Sequence, residues 1–360
     1  VSAAAAARSL PDQARAAALR LPHLPSLPPA AAARAQAIFE EIPSSTFVPF
    51  ACGDLAERLV QEQGWRDTFD HDWQVSWMAW FALRPFCDGP GGGLQDGSKL
   101  FTDDDADAIG CISSGVVHKI PLKKGAGPQN PGYRRYRKAH VHIIEQRVKE
   151  LLKIGAIQPS TSMFNSPILL VKNGHSDGSL RFANDCRMLN KVTERRQPCI
   201  LPNYNDIALH CAGKHWFSCM DMAKGFHSIP IHPPDRHKTA FWCPRPAGQF
   251  EWKVGNFGLV GMPSTYAMLM HKTLSGSDSA LAYVDDVLTT SCDDIRVHAA
   301  DLFDTFSRLH RHGHKLKIKK LLLARAEVPF LGYLIGRKGL HHNPKKTEVL
   351  RRYPSPTTKK

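Results

Sequence analysis

Leu281–Thr290 reads LAYVDDVLTT: two adjacent carboxylates interrupt an apolar, β-branched run. A short apolar run of this kind is a strand pattern, and two strands joined by a tight turn at the acids is its natural geometry. Asp285 and Asp286 then stand together in an apolar hairpin, where they repel and raise each other's pKa. A plain polar turn is one reading of such a pair. A bound divalent cation is the other, and it removes the electrostatic penalty. Upstream, Trp216–Asp221 (WFSCMD) is a second apolar run that ends on a single carboxylate. An aspartate at the end of a buried strand is costly unless it is hydrogen-bonded or paired with a cation. Three carboxylates from two strands can hold two metal ions ~4 Å apart. Mg²⁺ suits carboxylate oxygens and keeps waters and substrate phosphates as its remaining ligands. One such ion lowers the pKa of an attacking hydroxyl and the other stabilises leaving phosphate oxygens, as phosphoryl or nucleotidyl transfer requires.

Working outward, Val141, Ile144, Val148, Leu151 and Leu152 recur at helical spacing, with Arg147, Lys149 and Lys153 between them. The helix should end near Gly155, with Pro159 beyond it. Ser166–Lys172 (SPILLVK) reads as a strand, His175–Gly178 as a turn and Ser179–Asn184 as the returning strand. Helices and strands then alternate, which predicts an α+β domain. The first part of the chain differs. Residues 1–46 alternate Ala-rich runs with Pro22, Pro25, Pro28 and Pro29, a low-complexity composition expected to be partly disordered. Trp73, Trp77 and Trp80 mark one helical face, read as packing, and Gly89–Gly93 breaks the chain. Asp103, Asp105 and Asp107 mimic the start of a calcium loop but lack its Gly and Glu, so a solvated acidic loop is the reading.

The net charge of +14 is uneven: residues 1–127 carry 11 basic and 15 acidic side chains, and residues 128–360 carry 36 and 18. The excess of +18 in the second segment attracts polyanions, of which nucleic acid is the commonest. The 9 cysteines include no CxxC pair, which speaks against a zinc site or a disulfide framework. His310, His312 and His314 cluster without Cys or carboxylate partners at ligand spacing and read as basic surface. No stretch approaches the ~20 apolar residues of a membrane span. The first residue is Val, so the sequence is read as a fragment or processed piece.

Tyr283-Val284-Asp285-Asp286 resembles the YxDD signature of reverse transcriptases. Further segments resemble those of gypsy-class LTR retrotransposons, in the same order. They are Arg181–Thr193 (RFANDCRMLNKVT), Phe217–Ile229 (FSCMDMAKGFHSI), Lys238–Phe241 (KTAF), Phe257-Gly258-Leu259 with Met262-Pro263, Lys319-Lys320 and Phe330–Tyr333 (FLGY). The resemblance covers about residues 128–355. It implies a right-hand polymerase fold with the thumb largely truncated. Fingers would span about 128–214 and 229–261, palm about 215–228 and 262–335, and the start of a thumb 336–360. Residues 1–127 are left as an extension of unknown role.

The resemblance also implies roles. Asp221, Asp285 and Asp286 would carry two Mg²⁺ or Mn²⁺ ions. Phe226 would be a steric gate against a ribose 2′-hydroxyl, unless it is simply a core Phe. Arg181, aided by Lys172, would reach the incoming triphosphate, with Phe257 and Gly258 lining the nucleotide pocket. Lys320 would lie on the pyrophosphate side. Tyr283, Pro263, Phe330, Leu331 and Gly332 would meet the template-primer. The implied partners are an RNA or DNA template-primer duplex, dNTPs and downstream RNase H and integrase domains of the same polyprotein, in an intracellular setting, with no membrane. Pro263 suits the first turn of a helix whose buried face holds Tyr266, Leu269, Met270 and Leu274. Some residues depart from the family pattern. Met262 stands where the family has Ala and is expected to add bulk beside the nucleotide. Ser228 replaces Gln, Cys186 replaces Tyr and Leu321 replaces Cys. None removes a carboxylate. An RNA-directed DNA polymerase is therefore expected, the alternative being a relic that binds nucleic acid without polymerising. A viral RNA replicase would carry Gly-Asp-Asp instead.

Overall fold

The strand expected over Trp216–Asp221 forms over those residues, and LAYVDDVLTT folds into two strands around a two-residue loop, Val284-Asp285. The computed structural model describes residues 100–102, 112, 114–172, 180–194, 201–244, 247–317, 320–342, 344 and 348. The readings made for residues 1–46, for the tryptophan-bearing segment, for the Gly-rich break and for the acidic loop lie outside the described residues, as does the His175–Gly178 turn.

Along the chain, β1 (Phe101–Thr102) precedes α1 (Lys138–Lys153), β2 (Ile157–Pro159), β3 (Ile168–Lys172), β4 (Leu180–Asn184), α2 (Arg187–Val192) and α3 (Tyr204–Cys211). Then come β5 (Trp216–Asp221), two 3-10 turns (Gly225–Ser228 and Pro233–Thr239), β6 (Phe241–Trp242), β7 (Gln249–Trp252) and α4 (Met262–Thr273). The remainder is β8 (Ala280–Tyr283), β9 (Asp286–Ser291), α5 (Ile295–Arg311), β10 (Leu316–Lys317), β11 (Leu322–Arg325), β12 (Glu327–Phe330), β13 (Tyr333–Gly336) and β14 (Gly339–His342).

The central sheet has the order β11-β5-β9-β8 and is antiparallel throughout. Both of its faces are covered, which explains why β5 and β9 read as near-continuous buried runs rather than as alternating ones. On one face Met220 and Val287 join the larger core with Tyr266, Leu269, Leu302, Phe306 and Leu309 of α4 and α5. On the other, Phe217, Cys219 and Leu288 pack with Ile207 and Cys211 of α3 and with Val328, Phe330 and Ile335 of the β12–β13–β14 meander. Burying a Phe or Leu contributes about 1.5–3 kcal/mol, so each face anchors the sheet. A second group of strands, β2-β7-β6 and the β3–β4 hairpin, lies beside it with α1. The stripe predicted for α1 is largely realised: Ile144, Val148 and Leu151 are buried, whereas Leu152 is exposed. Gly155 ends the helix in the left-handed region, and the Ala156 N–H donates to the Leu151 carbonyl at 2.9 Å.

Residues 114–127, placed by the sequence in the extension, thread into this body. His118 pairs with Ile231, Ile120 N donates to Asp235 Oδ2 at 3.0 Å, and Lys123 N donates to the Val192 carbonyl at 2.8 Å. Val116 and Ile120 are buried, as is Leu100, and β1 pairs in parallel with β10. The histidine cluster is also corrected. His310 and His314 are buried, and His314 Nε2 meets Thr273 Oγ1 at 3.0 Å, because the end of α5 tucks under α4. Burial pushes the His314 imidazole down to about 3, so it is a neutral packing group rather than basic surface. Among the described residues, no helix is long and apolar enough to cross a membrane.

Candidate active site

The antiparallel register sets Asp221 of β5 directly opposite Asp286 of β9. Side chains paired in this way point to the same face, with Cβ atoms about 4.5–5.5 Å apart, and like charges there repel. Asp285 sits next to them in the hairpin loop, whose first residue, Val284, has φ 52°. A β-branched residue in the left-handed region is strained, and the surroundings must hold it. Met222, just beyond β5, does so in part: its N–H donates to the Asp285 carbonyl at 2.8 Å.

The electrostatics follow from this crowding. Burial, then the Asp221 charge, then that of Asp286 lift the Asp285 carboxyl to about 6. Burial and Asp221 also raise Asp286. Cys219, on the same face of β5, is pushed up to about 12 by burial and both acids. The local cations are lysines. Lys320 Nζ pairs with Asp221 Oδ2, and Lys317 Nζ lies 3.4 Å from the same oxygen. Asp285 Oδ1 is buried with no hydrogen-bond partner, and so is the hydroxyl of Tyr266. Both oxygens crowd Gly225, where an added Cβ would lie 2.5 Å from Asp285 Oδ1 and 2.6 Å from Tyr266 Oη.

Among the described residues, no three His, Cys, Asp or Glu side chains are gathered to hold a metal as they stand. The donor set nonetheless fits one. Three carboxylates, one of them an orphaned buried acceptor, with two lysines already drawn onto a second, make an excess of oxygen charge that suits a hard divalent cation.

The other residues singled out in the sequence divide into two sets. Arg181, Phe257, Phe226 and Tyr266 form a chain of contacts leading to the acids. The Arg181 guanidinium lies over the Phe257 ring at 6.0 Å, Phe257 meets Phe226 at 5.4 Å, and Phe226 meets Tyr266 at 5.6 Å. Phe226 is half-buried, its ring packed against both Phe257 and Tyr266. Gly258 has φ 97°, and a Cβ there would come within 3.3 Å of the Asn184 carbonyl, so a glycine is required. Lys320 is at the acids. Lys172 is not brought to this cluster: it pairs with Leu180 while Arg181 pairs with Val171, so the two basic side chains lie on opposite faces of their hairpin.

Pro263 is exposed in the first turn of α4, and Tyr283 is half-buried opposite Asp286. Leu331 and Gly332 form the β12–β13 loop, both with positive φ. The Phe330 side chain is buried in the core beneath the β12–β13 hairpin, and Leu331 packs partly against the same cluster, half-buried. Met262 corrects an expectation: its side chain is buried against Gly255 in the core rather than adding bulk beside a nucleotide. Lys317, Gly225 and the Tyr266 hydroxyl were not assigned site roles from sequence. The alternating lysines around Leu316 and the Lys-Gly step before Phe226 were the only signals.

Residues 171–335 match the family described as reverse transcriptase (RNA-dependent DNA polymerase). The chain is 30% identical over 232 residues to the retrovirus-related Pol polyprotein from transposon 412 of Drosophila melanogaster, and 32% identical over 235 residues to that from transposon 297 of the same species. It is 33% identical over 199 residues to the enzymatic polyprotein of figwort mosaic virus (strain DxS). These matches take in 62%, 63% and 54% of the chain but only 18%, 22% and 29% of the relatives. In three dimensions the fold is similar to the foamy viral protease-reverse transcriptase dRH in complex with double-stranded DNA, with TM-score 0.69 and 21% identity over 84% of this chain and 50% of that one. The foamy viral protease-reverse transcriptase in complex with an RNA/DNA hybrid gives TM-score 0.69 and 20% identity, over 84% of this chain and 38% of that one.

Proposed function

We propose that this chain, whose residues 171–335 carry a reverse transcriptase domain of the Pol-polyprotein kind, is an RNA-directed DNA polymerase that adds deoxynucleotides to a primer 3′-hydroxyl. The observation that carries the proposal is the Asp221–Asp286 cross-strand pair with Asp285 in the adjoining loop, on a fold shared with viral reverse transcriptases. The ordered motifs further favour a gypsy-class element as the source. We read the β11-β5-β9-β8 sheet with α4 and α5 as the palm. The β2–β4 and β6–β7 strands with α1 and α2 are read as fingers. α3 packs under the palm sheet and is assigned to it.

Two Mg²⁺ or Mn²⁺ ions held by Asp221, Asp285 and Asp286 would supply the Lewis-acid chemistry of nucleotidyl transfer. The chain's own residues do the rest. Near neutral pH Asp285 is ionised, since its carboxyl titrates at about 6, and it offers a ready acceptor. Lys320, with a side chain 59% exposed, gives up Asp221 when the site is loaded and turns its ammonium toward the triphosphate. Arg181, held over Phe257, offers a planar fork to the phosphates. Phe226 presents its ring edge to the sugar. The Leu331-Gly332 loop and Pro263 meet the template-primer.

Primer extension on an RNA template, with Mg²⁺ and then Mn²⁺ and beside Asp285→Asn, tests this. Metal-dependent incorporation that disappears in the variant is the expected result. Retained template-primer binding with no incorporation by either protein would leave a nucleic-acid-binding chain without polymerase activity.

A further inference from the structure

Ser218 of β5 and Ser291 of β9 are buried polar residues on the face opposite the acids, where Thr289 of β9 lies across from Ser218 and meets Thr305 of α5 at 3.2 Å. Between the two serines lies His298 of α5, with no exposed surface. His298 Nε2 is 2.7 Å from Ser218 Oγ, and Nδ1 is 2.8 Å from Ser291 Oγ. The Ser291 hydroxyl donates to Asp301 Oδ2 at 2.7 Å, and the Ala324 N–H of β11 donates to Ser218 Oγ at 2.8 Å.

Hydrogen counting gives this chain of bonds a direction. Ser291 has one hydroxyl proton and spends it on Asp301, so its oxygen accepts from His298 Nδ1–H. Burial holds the imidazole neutral, with its pKa down to about 3. Nε2 is therefore an acceptor and takes the Ser218 hydroxyl proton. Ser218 in turn accepts from Ala324. The bonds run one way, from β11 through β5 and α5 to β9, and back to α5. Ala324 itself is strained, with φ 48°, at the point where the β11–β5 register shifts between Leu322 and Arg325. Its N–H bond to Ser218 holds that irregularity four residues after Lys320, which pairs with Asp221.

We infer that His298 is a positioning residue for the carboxylate site: through Ser218, Ser291 and Ala324 it locks β5, β9 and β11 together, so that Asp221, Asp286 and Lys320 converge on the opposite face. Ser218 is three residues before Asp221 and Ser291 five after Asp286, so a slip of either strand moves an acid directly. The backbone ladder and the burial of both faces already oppose a full slip of register. The directional bonds of His298 add to them by fixing the finer placement of the three strands, which an apolar group at this position would leave to packing alone. The inference rests on the reading of the three acids as a divalent-metal site.

The test uses the full chain without nucleic acid. Mn²⁺ binding is measured by titration calorimetry, and the Asp221 and Asp286 carboxyl carbons are followed by ¹³C NMR in the metal-free protein. His298→Leu is expected to weaken Mn²⁺ binding roughly tenfold or more and to move both carboxyl signals. His298→Gln, whose amide offers both a donor and an acceptor, should recover most of each. A folded His298→Leu with wild-type affinity and unmoved signals overturns the inference. Should that variant fail to fold, Ser218→Ala decides: it deletes only the hydroxyl between His298 and Ala324, and unchanged affinity and signals there overturn the inference equally. If the wild-type chain takes up no Mn²⁺, the metal reading of the acids fails, and the carboxyl signals alone still report whether His298 positions them.

Discussion

Asp285 carries a cost in the folded chain that the unfolded chain does not bear. Its carboxyl is lifted to about 6 by burial and by Asp221, above its value in an unfolded chain. The folded protein therefore binds the extra proton between about pH 4 and pH 6, and stability falls as pH rises through that window. Above it the deficit is complete. Asp285→Asn removes the charge, so in chelator and above pH ~7 the variant should unfold at higher urea than wild type, by roughly 2 kcal/mol. The two should coincide near pH ~4 and below. Saturating Mg²⁺ should reverse the order, because only the wild-type site gains binding energy from the ion. A variant no more stable than wild type in chelator would mean that the carboxylate is better solvated than its burial implies.

At the scale of elements, the 3-10 turn Gly225–Ser228 sets how closely β5 and α4 approach behind the acids. Lys224 enters the turn in the left-handed region, and the Ser228 hydroxyl donates back to the Gly225 carbonyl at 2.6 Å. Tyr266, fully buried on α4, leaves no room for a side chain at Gly225. Gly225→Ala must displace Asp285, Tyr266 or the turn. We expect a loss of about 1–3 kcal/mol in thermal unfolding and a larger fall in primer extension than in template-primer binding. Ordinary activity in that variant would show that the hairpin loop has slack the packing does not suggest. The turn was not legible from sequence. Lys-Gly-Phe reads locally as a loop, and the demand for a glycine comes from Tyr266, 41 residues on in the chain.

Over the whole molecule, charge and shape act together. The excess of +18 over residues 128–360 predicts binding to nucleic acid governed by phosphate contacts, with little sequence preference. If about six phosphates are neutralised, affinity for a template-primer duplex should fall roughly a thousandfold between about 50 and 200 mM salt. A flat salt profile would point to contacts dominated by stacking or base edges instead. The body that carries this charge also takes in residues 114–127, and His118 Nδ1, 2.9 Å from Thr265 Oγ1, ties them to α4. Removing the segment should therefore destabilise the domain rather than trim a tail.

The sequence alone determined the strands that carry the acids, a hairpin between them whose turn it placed at Asp285-Asp286, one residue beyond the observed Val284-Asp285 loop, the stripe of α1 and the first turn of α4 at Pro263. These depend on period and turn chemistry, which are local. It also showed that carboxylates would stand in apolar runs, where an unpaired charge is costly, since charge and apolar context are visible residue by residue. Tertiary structure alone decided what lies across from what. It set Asp221 opposite Asp286, brought Lys317 and Lys320 to Asp221, and turned Met262 into the core. It put Lys172 on the wrong face to join Arg181, buried His310 and His314, and joined His298 to two strands through their serines. Each of these depends on register and on packing between residues far apart in the chain, and a linear pattern carries no information about either until the strands have paired.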